Sequence, residues 1–261
     1  MRELLEDMEG GAGSAADPLR AARVAQRKPL PKRFYAAATV GMEPEGGCTV
    51  RLDGRMVRTP AMRLLKVENA ALAQALADEW AAQGQEIDPA TMPLTRLVNV
   101  ALDGVADQLE SSAAEVIAYA GSDLLCYRAD APERLAERQS QTWDPVLERL
   151  RVETGARFLL AAGIRHVAQS PETLQRIAAL VPRDPLQLAA LVSMTGLTGS
   201  ALLSLAVLKG WLDTDSAWHA AHVDEDWNRE LWGEDSEAST RRAARKSEMD
   251  AAAFVMAHAM A

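Results

Sequence analysis

His219 and His222 lie three residues apart, with Glu225 three further on, a set of residue types that can ligate a metal. On one helix they would share a face. Two imidazoles and a carboxylate are donors that suit a zinc-type cation and metal-assisted hydrolysis. The same spacing also describes the polar face of an exposed helix, and neither a fourth ligand nor a cysteine cluster accompanies it. Carboxylates for acid–base work abound in Asp224–Glu225–Asp226 and Glu234–Asp235, a density equally typical of a solvated surface. The run Thr195-Gly-Leu-Thr-Gly-Ser200 is rich in Gly, Ser and Thr, but its long apolar flanks point to close helix packing or a helix break. GxGxxG after a strand, GxxxxGK[ST] and GxSxG are all missing, so the sequence offers neither a phosphate cradle nor a nucleophile elbow. Cys48 and Cys126 lie far apart and read as reduced, structural thiols.

Tryptophan beside acid is the more unusual pattern. From Asp213 to Glu237 five Asp and four Glu face one Arg, so this stretch carries −8 of the chain's net −9. Such a charge repels nucleic acid and anionic membrane and attracts a basic protein surface or a cation. Trp218, Trp227 and Trp232 stand within it. On one continuous helix Trp218 and Trp232 would share a face, with Trp227 offset. Each indole fits core packing or, rimmed by charge, a protein-binding hot spot.

The elements that position these residues are legible in outline. Residues 1–28 have the composition of a disordered tail and lack the apolar stretch of a signal peptide. Residues 29–90 read as a mixed domain. A strand over Phe34–Met42 precedes a hairpin centred on Asp53-Gly54, a dipeptide that favours the type I′ turn. A helix over Val67–Gln83 comes next, with Gly84 as its cap. Residues 91–261 read as a helical domain, with helices over Leu94–Ala101, Gln108–Gly121, Pro132–Thr154, Pro171–Leu180, Pro185–Leu208, Thr214–Leu231 and Glu237–Ala257. A short strand pair is expected between Arg157–Leu160 and Ile164–Val167. Pro185–Leu208 is uncharged and long enough to span a bilayer, but its polar residues and Gly196 and Gly199 favour one or two buried helices. The fold class is α+β: a small N-terminal antiparallel-sheet domain with a helix, then a larger, mostly α-helical domain.

Several short strings occur in an order that resembles the ATP synthase assembly chaperones of mitochondria and alpha-proteobacteria. They are Lys32-Arg-Phe-Tyr35, Val50-Arg-Leu-Asp-Gly-Arg55, Arg58-Thr-Pro60, Glu79-Trp80-Ala-Ala-Gln83 and Met92-Pro-Leu-Thr-Arg-Leu97. Ser122-Asp-Leu-Leu-Cys-Tyr-Arg128, Trp143-Asp-Pro145, Trp227-Asn-Arg-Glu230 and Trp232-Gly233 complete the series. The resemblance implies a protein without catalysis or cofactor that binds the free alpha subunit of the F-type ATPase headpiece and needs no nucleotide. It implies a structural role for Trp80 and a functional one for the acidic Trp-Gly segment, with Glu230 as its carboxylate. The expected partner-binding residues are Asp226, Trp227, Glu230, Trp232 and Asp235. Neither nucleic acid nor membrane insertion is expected. The N-terminal tail is unlike a mitochondrial presequence, so the expected location is the bacterial cytoplasm. The competing reading is a metal-dependent hydrolase or small-molecule enzyme built on His219, His222 and Glu225.

Overall fold

The computed structural model describes residues 29–163 and 165–259; the tail expected over residues 1–28 lies outside the described residues. The fold is α+β. Strands β1 (Ala38–Met42), β2 (Cys48–Leu52), β3 (Arg55–Met56) and β4 (Lys66–Val67) form an antiparallel sheet in which β2 pairs with all three others. Register runs from Ala38 opposite Leu52 to Met42 opposite Cys48. The β2–β3 turn is the expected Asp53-Gly54, with φ of 47° and 82°, both in the left-handed region a type I′ turn requires. The Asp53 carboxylate also accepts hydrogen bonds from the Ala36 and Ala37 amides, which ties the turn to the strand entry.

Helix α1 (Ala70–Ala81) starts where Asn69 accepts hydrogen bonds from the amides of Ala71 and Leu72. Its Leu72, Ala73, Leu76 and Ala77 are buried and pack onto β1 and β2. Each leucine contributes about 1.5–3 kcal/mol of burial. The helix is capped by Ala82 rather than Gly84. Its last turn holds the next helix. Glu79 Oε1 accepts from Leu94 N and Oε2 from Thr95 N, both at 2.8 Å, so one carboxylate caps α2 (Pro93–Asp103), where Pro93 leaves no competing donor. Burial lifts the Glu79 carboxyl above the usual range, against the pull of those bonds. Gln83 braces the connecting loop through Glu79 O, Thr91 Oγ1 and Asp88 N.

The remaining helices are α3 (Leu109–Ala120), α4 (Glu133–Thr154), α5 (Pro171–Ala178), α6 (Pro185–Thr198), α7 (Ala201–Leu208), α8 (Thr214–Ala221), α9 (Val223–Trp232) and α10 (Ser236–Ala257). The uncharged run is thus two buried helices, broken at Gly199 with φ of 67°. Around that break sits Asp123, fully buried. It accepts from Ser200 Oγ at 2.7 Å, Leu202 N at 3.0 Å and Leu125 N at 3.1 Å. Burial pushes its carboxyl up to about 6, and the neighbouring Cys126 thiol up to about 12. Cys48 and Cys126 are both buried and unlinked. Helix α6 packs against α2, α3, α7 and α10, and the buried residues form one cluster running from Tyr35 to Ala259. No helix among the described residues is long and apolar enough to cross a membrane.

Two expectations fail. The segment Arg157–Leu160 does not form a strand, and Ile164 lies outside the described residues. Instead β6 (Ala161–Ala162) pairs in parallel with β5 (Tyr127–Arg128). The Gln169 side chain occupies the backbone of Leu159, accepting from its N–H and donating to its carbonyl at 2.8 Å, so the strand partner is replaced by an amide. The single helix over Thr214–Leu231 is also two helices, parted at His222.

Candidate interaction site at the tip of the acidic helix

The break at His222 decides what the acidic stretch becomes. The His222 ring is buried and tilted against Trp218 at 3.9 Å, and its Nδ1 donates to the Trp218 carbonyl at 2.7 Å. Burial holds its pKa below the usual imidazole range, so the ring is neutral at pH 7. His219 points instead into solvent, 3.6 Å from Asp226, while His222 Nε2 lies 3.8 Å from Glu225. The triad of His219, His222 and Glu225 therefore does not converge. Among the described residues no group of three or more such side chains is arranged to hold a metal ion. Trp218 belongs to the core.

Past the break, α9 opens with Asp224, Glu225 and Asp226 in its first turn, where the helix dipole favours negative charge. Each then finds a partner from another element or turn. Asp224 accepts from Gln139 Nε2 of α4 at 2.7 Å. Glu225 lies within 4 Å of Arg242 and Arg245 of α10. Asp226 is only 5% exposed, contrary to its expected place in a docking surface. It takes Arg242 at 2.5 Å and Arg229 at 3.2 Å. Its burial alone would raise the carboxyl, but the Arg242 hydrogen bond and the two cations outweigh that and hold it low. Glu230 receives Arg138 Nη1 of α4 on both oxygens, at 2.9 and 2.7 Å; this bond lowers the Glu230 carboxyl and raises the Arg138 guanidinium. Asp215 of α8 pairs with Lys246.

The acidity counted along the sequence is thus largely closed by α4 and α10. The run Arg241-Arg-Ala-Ala-Arg-Lys246, directly after the acidic stretch, is the sequence signal that pointed there; Arg138, 92 residues away from Glu230, gave none. These bonds fix the rotation of α9, and its outer end is apolar. Leu231 is 58% exposed and Trp232 is 85% exposed. Trp227 is half-buried on the same helix. Gly233 comes next with φ of 87° and ψ of 178°, a conformation essentially confined to glycine. Asp235 then caps α10 by accepting from Glu237 N. Trp232, Asn228 and Arg229 face Ser239, Arg241 and Arg242 across a shallow cleft of about 420 Å³. Of the five expected residues, Trp232, Glu230 and Asp235 are presented at the surface, with Asp235 lining the cleft beside Trp232; Trp227 is half-buried, and Asp226 lies behind them and seats α9.

Comparison with known proteins agrees with this architecture. A family model described as ATP12 chaperone protein matches residues 32–151. The crystal structure of a protein from Agrobacterium tumefaciens is 45% identical, covers 99% of this chain and 97% of its own, and superposes with a TM-score of 0.84. The crystal structure of Atp12 from Paracoccus denitrificans is 39% identical over 88% of this chain and 98% of its own, with a TM-score of 0.80. Mitochondrial protein atp12 of Schizosaccharomyces pombe is 26% identical over 222 residues, 78% of this chain and 76% of that protein. With these identities spanning nearly the whole of solved relatives, the chain belongs to the ATP12 chaperone family, the assembly chaperones of ATP synthase.

Proposed function

We propose that the chain binds the free alpha subunit of the F-type ATP synthase headpiece and shields its assembly interface until the beta subunit replaces it. One observation carries the choice of site: Trp232, 85% exposed, stands at the end of a helix whose rotation is fixed by ion pairs on its other faces. Large indoles are usually well covered in a folded chain. One held out on a rigid mount beside a cleft has the composition and pre-organisation of an interface anchor. Glu230, exposed on the same helix beside α4, has one guanidinium already bound and lone pairs left for a second cation of the partner. Asp235 stands in the cleft beside Trp232 and also caps α10, while buried Asp226 acts indirectly, by seating α9. Binding followed by displacement by a tighter partner requires no nucleotide or cofactor and no chemical step. The location that goes with this reading is the bacterial cytoplasm, where a newly made subunit first needs cover.

The test is titration of purified alpha subunit against wild type, Trp232→Ala and Glu230→Gln, with thermal melting on the same preparations. Trp232→Ala should weaken binding roughly 30-fold or more, the loss typical of a hot-spot aromatic. Its melting temperature should be unchanged, because a side chain in solvent leaves no cavity. Glu230→Gln should weaken capture as well, by a smaller factor. Undiminished affinity in Trp232→Ala would remove this surface from the interface.

A further inference from the structure

Among the described residues, the N-terminal sheet carries a second open surface, built from residues other than those of the α9 tip. Phe34, Tyr35 and Trp80 form a row of edge-to-face rings, with centroids 5.4 Å and 5.8 Å apart. The row is anchored from behind: Tyr35 Oη donates to the Trp80 carbonyl at 2.7 Å, and the Arg33 guanidinium lies over the Tyr35 ring. These rings and the β2–β3 hairpin enclose a cleft of about 540 Å³, a volume in the range of ligand-binding pockets. Two of its apolar walls are exposed, Phe34 at 74% and Met56 at 40%. Arg55 and Arg58 form its rim. Neither makes an ion pair among the described residues, and Arg58 donates only to the Met62 carbonyl at 2.7 Å. The one carboxylate in the cleft, Asp53, is already occupied by the Ala36 and Ala37 amides.

Two arginines without an ion pair among the described residues, against the single carboxylate of Asp53, leave this open aromatic cleft net positive in a chain of net charge −9. A cation of the partner would meet repulsion from Arg55 and Arg58, whereas a carboxylate beside a buried apolar side chain would pair with them in bidentate geometry. We propose that this cleft is a second docking site, which takes a polypeptide segment presenting apolar side chains flanked by acidic ones. It is separate from the α9 tip and does not rest on the identity of the partner bound there. The apolar side chain enters between Phe34 and Met56, and the flanking carboxylates reach the two arginines.

The probe is a short fluorescein-labelled peptide of alternating leucine and glutamate, titrated into the full chain and followed by anisotropy. Saturable binding that weakens with added salt is expected. Phe34→Ala, and separately the Arg55→Glu/Arg58→Glu pair, should each raise the Kd by about tenfold or more. Trp232→Ala should leave the Kd unchanged. Melting curves check that the variants fold; Phe34→Ala removes an exposed ring and serves if the arginine pair perturbs the loop. No saturation at millimolar peptide would overturn the proposal. So would equal binding of the same peptide with lysine for glutamate, which would make the cleft an unspecific apolar patch. Sedimentation showing self-association lost in Phe34→Ala would equally overturn it, by making the occupant a second copy of the chain.

Discussion

Replacing Asp123 by alanine should be among the most damaging single changes outside the apolar core. The carboxylate is fully buried and accepts from two backbone amides, Leu125 and Leu202, and from the Ser200 hydroxyl. The hydroxyl can rotate to another acceptor, but the two amides cannot. Each buried N–H left without an acceptor costs about 1–3 kcal/mol, which gives about 2–6 kcal/mol for the pair. For a chain of this size that is a fall of roughly 5–20 °C in melting temperature. Asp123→Asn keeps the shape but turns an NH₂ toward the Leu202 amide, so it should lie between wild type and alanine. The pH dependence has a definite sign. Burial raises the folded carboxyl from 3.8 to about 6. Between those values the folded protein holds a proton that the unfolded chain has released, so this group's contribution falls as pH rises, by about 3 kcal/mol across the window. The margin of wild type over Asp123→Asn should therefore be wider at pH 4.5 than at pH 7.5. Differential scanning calorimetry of the three proteins at both pH values makes the measurement. An alanine variant melting within a degree of wild type would refute the hydrogen-bond account. Parallel pH profiles for wild type and Asp123→Asn would refute the account of the carboxyl by burial.

Glu79→Gln should cost about 1–3 kcal/mol in chemical denaturation, because an amide can accept only one of the Leu94 and Thr95 N–H bonds and sets a donor against the other. Gly233→Ala, at φ of 87°, should strain the turn by about 1–3 kcal/mol and redirect Trp232; capture of the alpha subunit should suffer more than the melting temperature. Arg242→Ala withdraws the closest cation from buried Asp226. The loss should stay below the roughly 3–5 kcal/mol of a buried charge left alone, because Arg229 remains 3.2 Å away, and a melt of Arg242→Ala beside Arg242→Lys tests it.

How much of this was legible in the sequence depends on the range of the interactions. The Asp53-Gly54 hairpin and the glycine break at Gly199 are set by neighbours within a few residues, and local chemistry marks them. The break at His222 carries no glycine or proline; it exists because an imidazole folds back on the Trp218 carbonyl. The pairing of Arg138 with Glu230 and of Gln139 with Asp224 spans 92 and 85 residues, so counting charges along the chain overstated the acidity of the surface. Trp232 was legible as a candidate but not as distinct from Trp218; only the broken helix sends one indole to the core and the other to solvent. Trp80, expected to be purely structural, both braces Tyr35 and lines the cleft.

The Asp123 cap has a consequence for how the chain emerges during synthesis. Asp123 is made before the uncharged run of Pro185–Leu208, so the acceptor for the start of α7 already exists when that run leaves the ribosome. Chains grow from the N-terminus, and the segments made first are available as a template for those made later. The longest uncharged stretch of the protein, on this order of events, meets a waiting polar anchor at the point where it turns into a second helix. Before then it is a single apolar segment exposed to any membrane or aggregate within reach.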